Sequence, residues 1–175
     1  MLRKTGTWQP VQKLVERGFH VQAPWAVAWG EMDCFGHVNN VTYIRYFESA
    51  RIVYFNQLNI GAEPDSHSKS DDDKIKPIMA TISCSFKRPL TFPDHITLGC
   101  RVSSMDAASG KFMLEHVVWS ESQQVIAAIG EGLAMSYDYG ALKRAPMPAA
   151  WVKEIQVLDN PPPMEDAKSK ADGNK

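Results

Sequence analysis

At 175 residues the chain has the length of one domain with some to spare, enough to bury a core without disulfide or metal staples. Hydrophobic residues at 44% and charged ones at 22% exclude disordered, collagen-like and membrane classes as descriptions of the whole chain. A formal net charge of −1 lacks the basic footprint of a nucleic-acid binder, so an anionic ligand has to be met by local charge.

The first 21 residues, "MLRKTGTWQPVQKLVERGFHV", contain no apolar run long enough for a signal peptide, and no later stretch approaches a membrane span. Residues 1–18 read as an N-terminal arm, 19–158 as the domain and 159–175 as a disordered tail, the last on its proline triplet and lack of apolar pattern. Cys34, Cys84 and Cys100 form no CxxC pair and are odd in number, which argues against a disulfide framework or a zinc site. A cytoplasmic location is the expectation, with organellar targeting left open by the basic start.

In residues 19–29 the odd positions are Phe19, Val21, Ala23, Trp25, Val27 and Trp29, a period of two that predicts a strand with one buried face. Pro24 cannot donate to a ladder and assigns this strand to a sheet edge or a bulge. After Asn40 the period becomes helical, with Tyr43, Ile44, Phe47, Ala50, Tyr54, Phe55 and Leu58 on one side and Arg45, Ser49 and Asn56 opposite. Arg51 interrupts the apolar face and Glu48 stands at its margin, three residues earlier, where an ion pair can form.

Residues 59–77 are polar, carry glycine, proline and an acidic run, and read as a solvated surface loop, with a lid over a ligand as the alternative. Alternation returns at Ile78, Ala80, Ile82, Cys84 and Phe86, again at Ile96, Leu98, Cys100 and Val102, and then over residues 112–120 and 125–137. "DAASGK" and "ESQQ" supply turns, and Gly130 and Gly132 suggest a bulge in the last strand. Residues 149–158 form a short amphipathic helix with Trp151, Val152, Ile155 and Leu158 on its apolar stripe. One strand, a long helix and four further strands predict an α+β domain: a curved antiparallel sheet of about five strands wrapped around one long central helix, plus the short C-terminal helix.

The chemistry concentrates where the first strand gives way to the helix. A helix start leaves backbone N–H groups unpartnered and slightly positive. Asn39 or Asn40 can cap it, Gly36 permits a sharp turn and a close approach, and Asp33 stands near a natural oxyanion site. Such parts suffice to hydrolyse an activated carbonyl, with backbone N–H groups polarising the oxygen and Asp33 activating water or attacking the carbon. The plainer alternative keeps Asp33 as a turn-former, His37 as a satisfied polar residue, Gly36 as a turn glycine and the asparagines as caps.

"DCFGHVNNVTYIRYFESAR", residues 33–51, resembles the signature of the hotdog-fold acyl-CoA thioesterases of the 4-hydroxybenzoyl-CoA thioesterase-like superfamily, and the likeness extends over most of residues 19–145. "SFKRPLTFPDHITLGCRV", residues 85–102, is similar to that family's Arg-Pro and Asp-bearing link. The resemblance implies a hotdog fold and hydrolysis of an acyl-CoA thioester, coenzyme A being part of the substrate and no separate cofactor or metal being needed. It implies Asp33 as the catalytic carboxylate, Asn40 in the helix turn whose backbone faces the thioester oxygen, Gly36 as the close-approach glycine and His37 at the family's histidine position. Tyr43 and Phe47 are implied near the acyl group, Lys87 and Arg88 near the coenzyme A phosphates, with Lys143 and Arg144 as a second basic pair. Glu48 is a lesser candidate for a second carboxylate, its other reading being the ion pair with Arg51.

A homodimer, or a tetramer of two such dimers, with sites at the subunit interface, is also implied. Rival expectations are a hotdog hydratase or dehydratase, whose Asn-Pro-Leu-His-like segments do not occur here, and a non-catalytic acyl-CoA-binding protein. Nothing like a helix-turn-helix or basic arm accompanies the motif, and no nucleic-acid partner is expected.

Overall fold

The computed structural model describes residues 8–61 and 74–164. The chain runs α1 (Gln12–Val15), β1 (Val21–Ala26), a single 3₁₀ turn (Trp29–Glu31), α2 (Asn40–Gln57), β2 (Ile75–Met79), β3 (Ser83–Phe86), β4 (His95–Asp106), β5 (Lys111–Ser120), β6 (Val125–Asp138), β7 (Lys143–Arg144) and α3 (Ala149–Leu158). All strand pairs are antiparallel, in the order β1-β4-β5-β6-β2, with β3 and β7 also pairing with β6. The sheet curls around α2, which packs on β1, β4 and β5; this is the hotdog arrangement. Among the described residues no helix is long and apolar enough to cross a membrane.

The helical periodicity explains why α2 lies inside the curl. Tyr43, Phe47, Ala50, Tyr54, Phe55 and the following Leu58 are buried against Leu98, Cys100, Val102, Phe112 and Leu114 of the sheet. Tyr46 is buried as well, although it lies outside the apolar face read from the sequence. Pro24 sits on β1, which pairs with β4 alone at one edge, as its missing N–H requires. Of the residues expected to share one buried face along 19–29, Val21 and Val27 join the core around α2, Phe19 is buried in the separate cluster of Leu14, Val117 and Trp119, and Trp25 and Trp29 are exposed, Trp29 lying beyond the end of β1 at Ala26.

The alternating stretch beyond Pro77 is two strands rather than one. Ala80 and Thr81 both donate their N–H to Leu133 O, at 2.8 and 3.3 Å, and this irregularity reverses the inward phase between Met79 and Ile82. Ile78 consequently points outward and Met79 inward, the opposite of the expected pattern. The bulge in β6 falls at Ala127 rather than at Gly130 or Gly132, since the register with β5 slips between Val118↔Ala128 and Trp119↔Ile126. Gly130 has a different purpose: a Cβ there would lie 2.4 Å from Cε2 of Phe47, so its absence lets α2 settle onto the sheet.

Residues 8–18, assigned to the arm, and the end of the domain show order that composition did not indicate. Leu14 of α1 and Phe19 cover Val117 and Trp119 on the convex side, so β4 and β5 are buried on both faces. Residues 159–164, assigned to the tail, are tied to the domain: Asp159 Oδ2 accepts from Tyr54 Oη (2.6 Å) and Val102 N (2.8 Å), and Met105 exchanges backbone bonds with Pro162 and Met164. The rest of the tail, residues 165–175, and the centre of the proposed lid, residues 62–73, lie outside the described residues.

Candidate active site

Asp33 opens a tight turn that closes on itself. Its N–H donates to His37 O (2.8 Å) and its carbonyl accepts from Gly36 N (3.0 Å). The side-chain Oδ1 accepts from Phe35 N at 2.8 Å and more distantly from His37 N at 3.4 Å, an Asx turn. No hydrogen bond to Oδ2 occurs among the described residues, which leaves that oxygen available to a ligand or water. Gly36 has φ +77°, and that backbone angle demands glycine; a Cβ there would meet no described atom within 4 Å, so the close approach expected of it does not occur within one chain.

The turn is pinned from three sides. Met32 and Val38 form a bridge across its base, and Val38 N donates to Leu90 O at 2.9 Å. Glu31 is the main clamp: its Oε2 accepts from Tyr46 Oη (2.6 Å) and Ala28 N (2.7 Å), while its carbonyl accepts from Asn39 N (2.9 Å). Desolvation, together with the part-buried bond to the Glu31 carboxylate, raises the Tyr46 pKa well above the ordinary phenol value, so the hydroxyl remains the donor. Neither residue was singled out in the sequence. The available signal was Tyr46 itself, a bulky side chain next to the apolar face with a hydroxyl that burial obliges to find a partner.

Asn39 caps α2, its Oδ1 accepting from Val41 N at 3.1 Å, and its carbonyl accepts from Thr42 N at 2.9 Å. Those two bonds satisfy the amides of Val41 and Thr42. The N–H of Asn40, the first helical residue, has no partner among the described residues. It is therefore the free donor at the positive end of an 18-residue helix.

Asp33, His37, Asn40, Tyr43, Lys87 and Arg88 line one cavity of about 480 Å³, together with Phe35 and Phe86. Six of the eight residues expected at the site thus share a single wall system. Gly36 belongs to the turn beneath it. Phe47 is the exception: it is fully buried under Gly130, its ring 5.2 Å from that of His116, and it is a core residue rather than a cavity wall. The helical face that carries Tyr43 to the cavity carries Phe47 to the sheet one turn later.

Tyr43 stands edge-on to Phe86 with ring centroids 5.1 Å apart, and its Oη accepts from Leu90 N at 3.3 Å. Burial raises its pKa, so the phenol stays protonated. Lys87 and Arg88 both donate backbone N–H to Ala127 O, at the β6 bulge, and this fold-back presents their exposed side chains at the cavity rim. One carboxylate, two cations and a helix N-terminus make the mouth locally positive on a nearly neutral chain.

Three other expectations resolve elsewhere. Glu48 does not line this cavity; it is half-exposed and lies 3.8 Å from Arg51 on the far flank of α2. Lys143 and Arg144 form the exposed β7 strand and also lie outside the cavity walls. Asp94, in the segment resembling the family's link, is buried and accepts from Ser120 Oγ (2.6 Å) and Ser122 N (3.0 Å), so it holds the turn between β5 and β6 rather than a ligand. Among the described residues no group of three or more His, Cys, Asp or Glu gathers at metal-binding distance.

A sheet curled around one helix, with an acid-bearing turn and the start of that helix lining one cavity, defines a hotdog protein. Residues 27–156 match the family model described as the thioesterase-like superfamily, and the chain belongs to that superfamily. A thioesterase from Thermus thermophilus, solved with coenzyme A and zinc, is similar at 26% identity and a TM-score of 0.66 over 83% of this chain and 98% of that one. A 1,4-dihydroxy-2-naphthoyl-CoA thioesterase from Synechocystis shares the fold at 15% identity and a TM-score of 0.64, over 81% and 98% of the two chains. YsmA of Bacillus subtilis (strain 168) is 30% identical over 84 residues, 48% of this chain and 52% of that protein, so the match spans about half of each.

Proposed function

We propose that the protein hydrolyses an acyl-CoA thioester to free coenzyme A and a carboxylic acid. One observation carries the reading: Asp33 and Asn40, whose N–H has no partner among the described residues, line the same cavity together with Lys87 and Arg88. The membership of the thioesterase-like superfamily supports thioester chemistry in general.

The thioester carbonyl oxygen accepts from Asn40 N–H, whose donor strength the helix dipole increases as negative charge develops. As general base, Asp33 takes a proton from water while the water oxygen attacks the carbonyl carbon. The tetrahedral intermediate then expels the coenzyme A sulfur, which leaves with the proton. As nucleophile, an Asp33 oxygen attacks the same carbon, releases coenzyme A and forms a mixed anhydride that water then cleaves. Lys87 and Arg88 meet the phosphates of the substrate, and Tyr43 borders the acyl group. The chemistry draws on groups of the chain alone, coenzyme A being part of the substrate, and a role for His37 in it is secondary.

The proposal includes a homodimer, or a tetramer of two such dimers, in the cytoplasm, with each site at a subunit interface. Exposed Phe35 and Phe86 in the cavity wall, Val41 on the first turn of α2 and Ile78 on β2 at the edge of the sheet are the apolar surface such a dimer would cover.

Asp33→Asn is expected to lower kcat by about 10²–10⁴-fold with circular dichroism unchanged. A folded variant with wild-type turnover removes the carboxylate mechanism. Acid-quenched single turnovers separate the two routes, since only the nucleophilic one adds the mass of the acyl group to the Asp33 peptide. The Asx turn at Asp33 favours one other reading, an acyl-CoA-binding protein in which the acid only shapes the loop. Tight acyl-CoA binding without thiol release by the wild type is the result that would support it.

A further inference from the structure

A second cavity, of about 340 Å³, opens on the flank of α2 where the break between β2 and β3 faces the helix. Ile44, Met79 and Ile82 give it apolar walls, and Arg45, Glu48 and Arg51 give it charge. That charge is poorly balanced. The Arg51 side chain is only 14% exposed, whereas Glu48, its ion-pair partner, is 55% exposed and 3.8 Å from Nη2. A pair of that length with one member in water contributes little.

Nη1 of Arg51 is buried with no acceptor among the described residues. Apart from the half-exposed Glu48, the neighbouring groups offer no anion: burial holds His116 neutral, and the buried Cys100 thiol stays protonated. A guanidinium whose donor fork is half unfilled in a desolvated place is unfavourable until an acceptor arrives, and a carboxylate fits that fork with two parallel bonds.

The position along the helix sets the scale of the ligand. From Asn40 to Arg51 the axis advances about 16 Å at 1.5 Å per residue. A helical arginine leans back toward the N-terminus, which shortens the gap from the free amide to the guanidinium to about 10–12 Å. Extended tetrahedral carbons advance about 1.25 Å per bond, so about eight to ten carbons bridge it.

Resting on the thioesterase reading, we propose that this flank cavity receives the far end of the acyl group and that Arg51, assisted by Arg45, pairs with a terminal carboxylate there. The preferred substrates are then ω-carboxyacyl-CoA thioesters of medium chain length. Arg51 determines specificity and takes no part in the bond-making steps.

The test compares decanoyl-CoA with the mono-CoA thioester of decanedioic acid. Wild-type kcat/KM is expected to be about tenfold higher for the carboxylated thioester, the gain of one charge-assisted fork. Arg51→Met should bring that ratio to one or below, and Arg51→Lys should keep part of it; Arg45→Gln, on the exposed side, supplies the comparison if Arg51→Met does not fold. Calorimetry with the corresponding non-hydrolysable CoA amides repeats the comparison without catalysis. If neither thioester is cleaved but the carboxylated amide binds about tenfold tighter through Arg51, hydrolysis is wrong and this assignment stands. Equal rates together with equal affinities in the wild type, or a preference that survives Arg51→Met, overturn it.

Discussion

His116 makes the fold sensitive to acid in a way that can be worked out in advance. It lies on the inner face of β5, fully buried, with its ring 5.2 Å from Phe47 and neither ring nitrogen hydrogen-bonded. Burial, reinforced by the positive charge of Arg51, lowers its pKa from 6.5 to about 3; the Gly130 backbone opposes this without a bond of proper geometry. Because the folded pKa lies below the unfolded one, the unfolded chain takes up a proton first as pH falls. Stability is thus unaffected above the unfolded pKa and is progressively lost below it, down through the folded value. Between pH 7.5 and pH 5 an unfolded pKa of 6.5 implies a loss of about 2 kcal/mol.

The perturbation is His116→Leu, which has nearly the same volume and no polar atom to strand. Urea denaturation at fixed protein concentration, followed by circular dichroism at both pH values, measures the effect. The variant should match or exceed the wild type at pH 7.5 and lose about 2 kcal/mol less on going to pH 5. Asp159, whose pKa burial raises, contributes with the opposite sign, but it is present in both proteins and cancels in the difference. Parallel losses in wild type and variant would refute the reasoning.

Further expectations concern the site and its supports. Tyr46→Phe removes a 2.6 Å bond to the Glu31 carboxylate and should cost about 1.5–3 kcal/mol in denaturant unfolding. If the clamp positions the Asp33 turn, kcat should also fall about tenfold; a stability loss with unchanged kcat would make the clamp merely structural. Gly130→Ala sets a methyl 2.4–2.8 Å from three carbons of the Phe47 ring and should destabilise by about 1–3 kcal/mol, with Phe47→Leu in the same chain recovering part of the loss. Replacing Lys87 and Arg88 together by alanine should raise KM for an acyl-CoA about three- to tenfold with little change in kcat, and should flatten its dependence on salt. An unaltered KM would remove the phosphates from this rim.

Much of the architecture was legible because each clue was local. Alternation located β4, β5 and β6, the helical period located α2 and α3, and Pro24 marked an edge strand by the donor it lacks. The motif around Asp33 could be read for a similar reason: the Asx turn and the Asn39 cap are made of bonds within a few residues, although the bond to Leu90 and the Glu31 clamp that pin them are not.

What remained hidden involved residues far apart in the chain. Phe47 carries the same kind of side chain as a cavity-lining aromatic, and only the seat beneath Gly130, 83 positions later, assigns it to the core. Nothing in a proline-rich tail announces that Asp159 will bind Tyr54 and Val102. Likewise, Glu31 becomes a clamp only because the curl of the sheet brings Tyr46 within 2.6 Å. Periodicity records which side of an element is apolar, since that is decided residue by residue against water. It does not record which distant atom fills a given gap, because that depends on how whole elements pack, and so the cavity at the start of α2 and the Arg51 cavity on its flank emerge only from the folded chain.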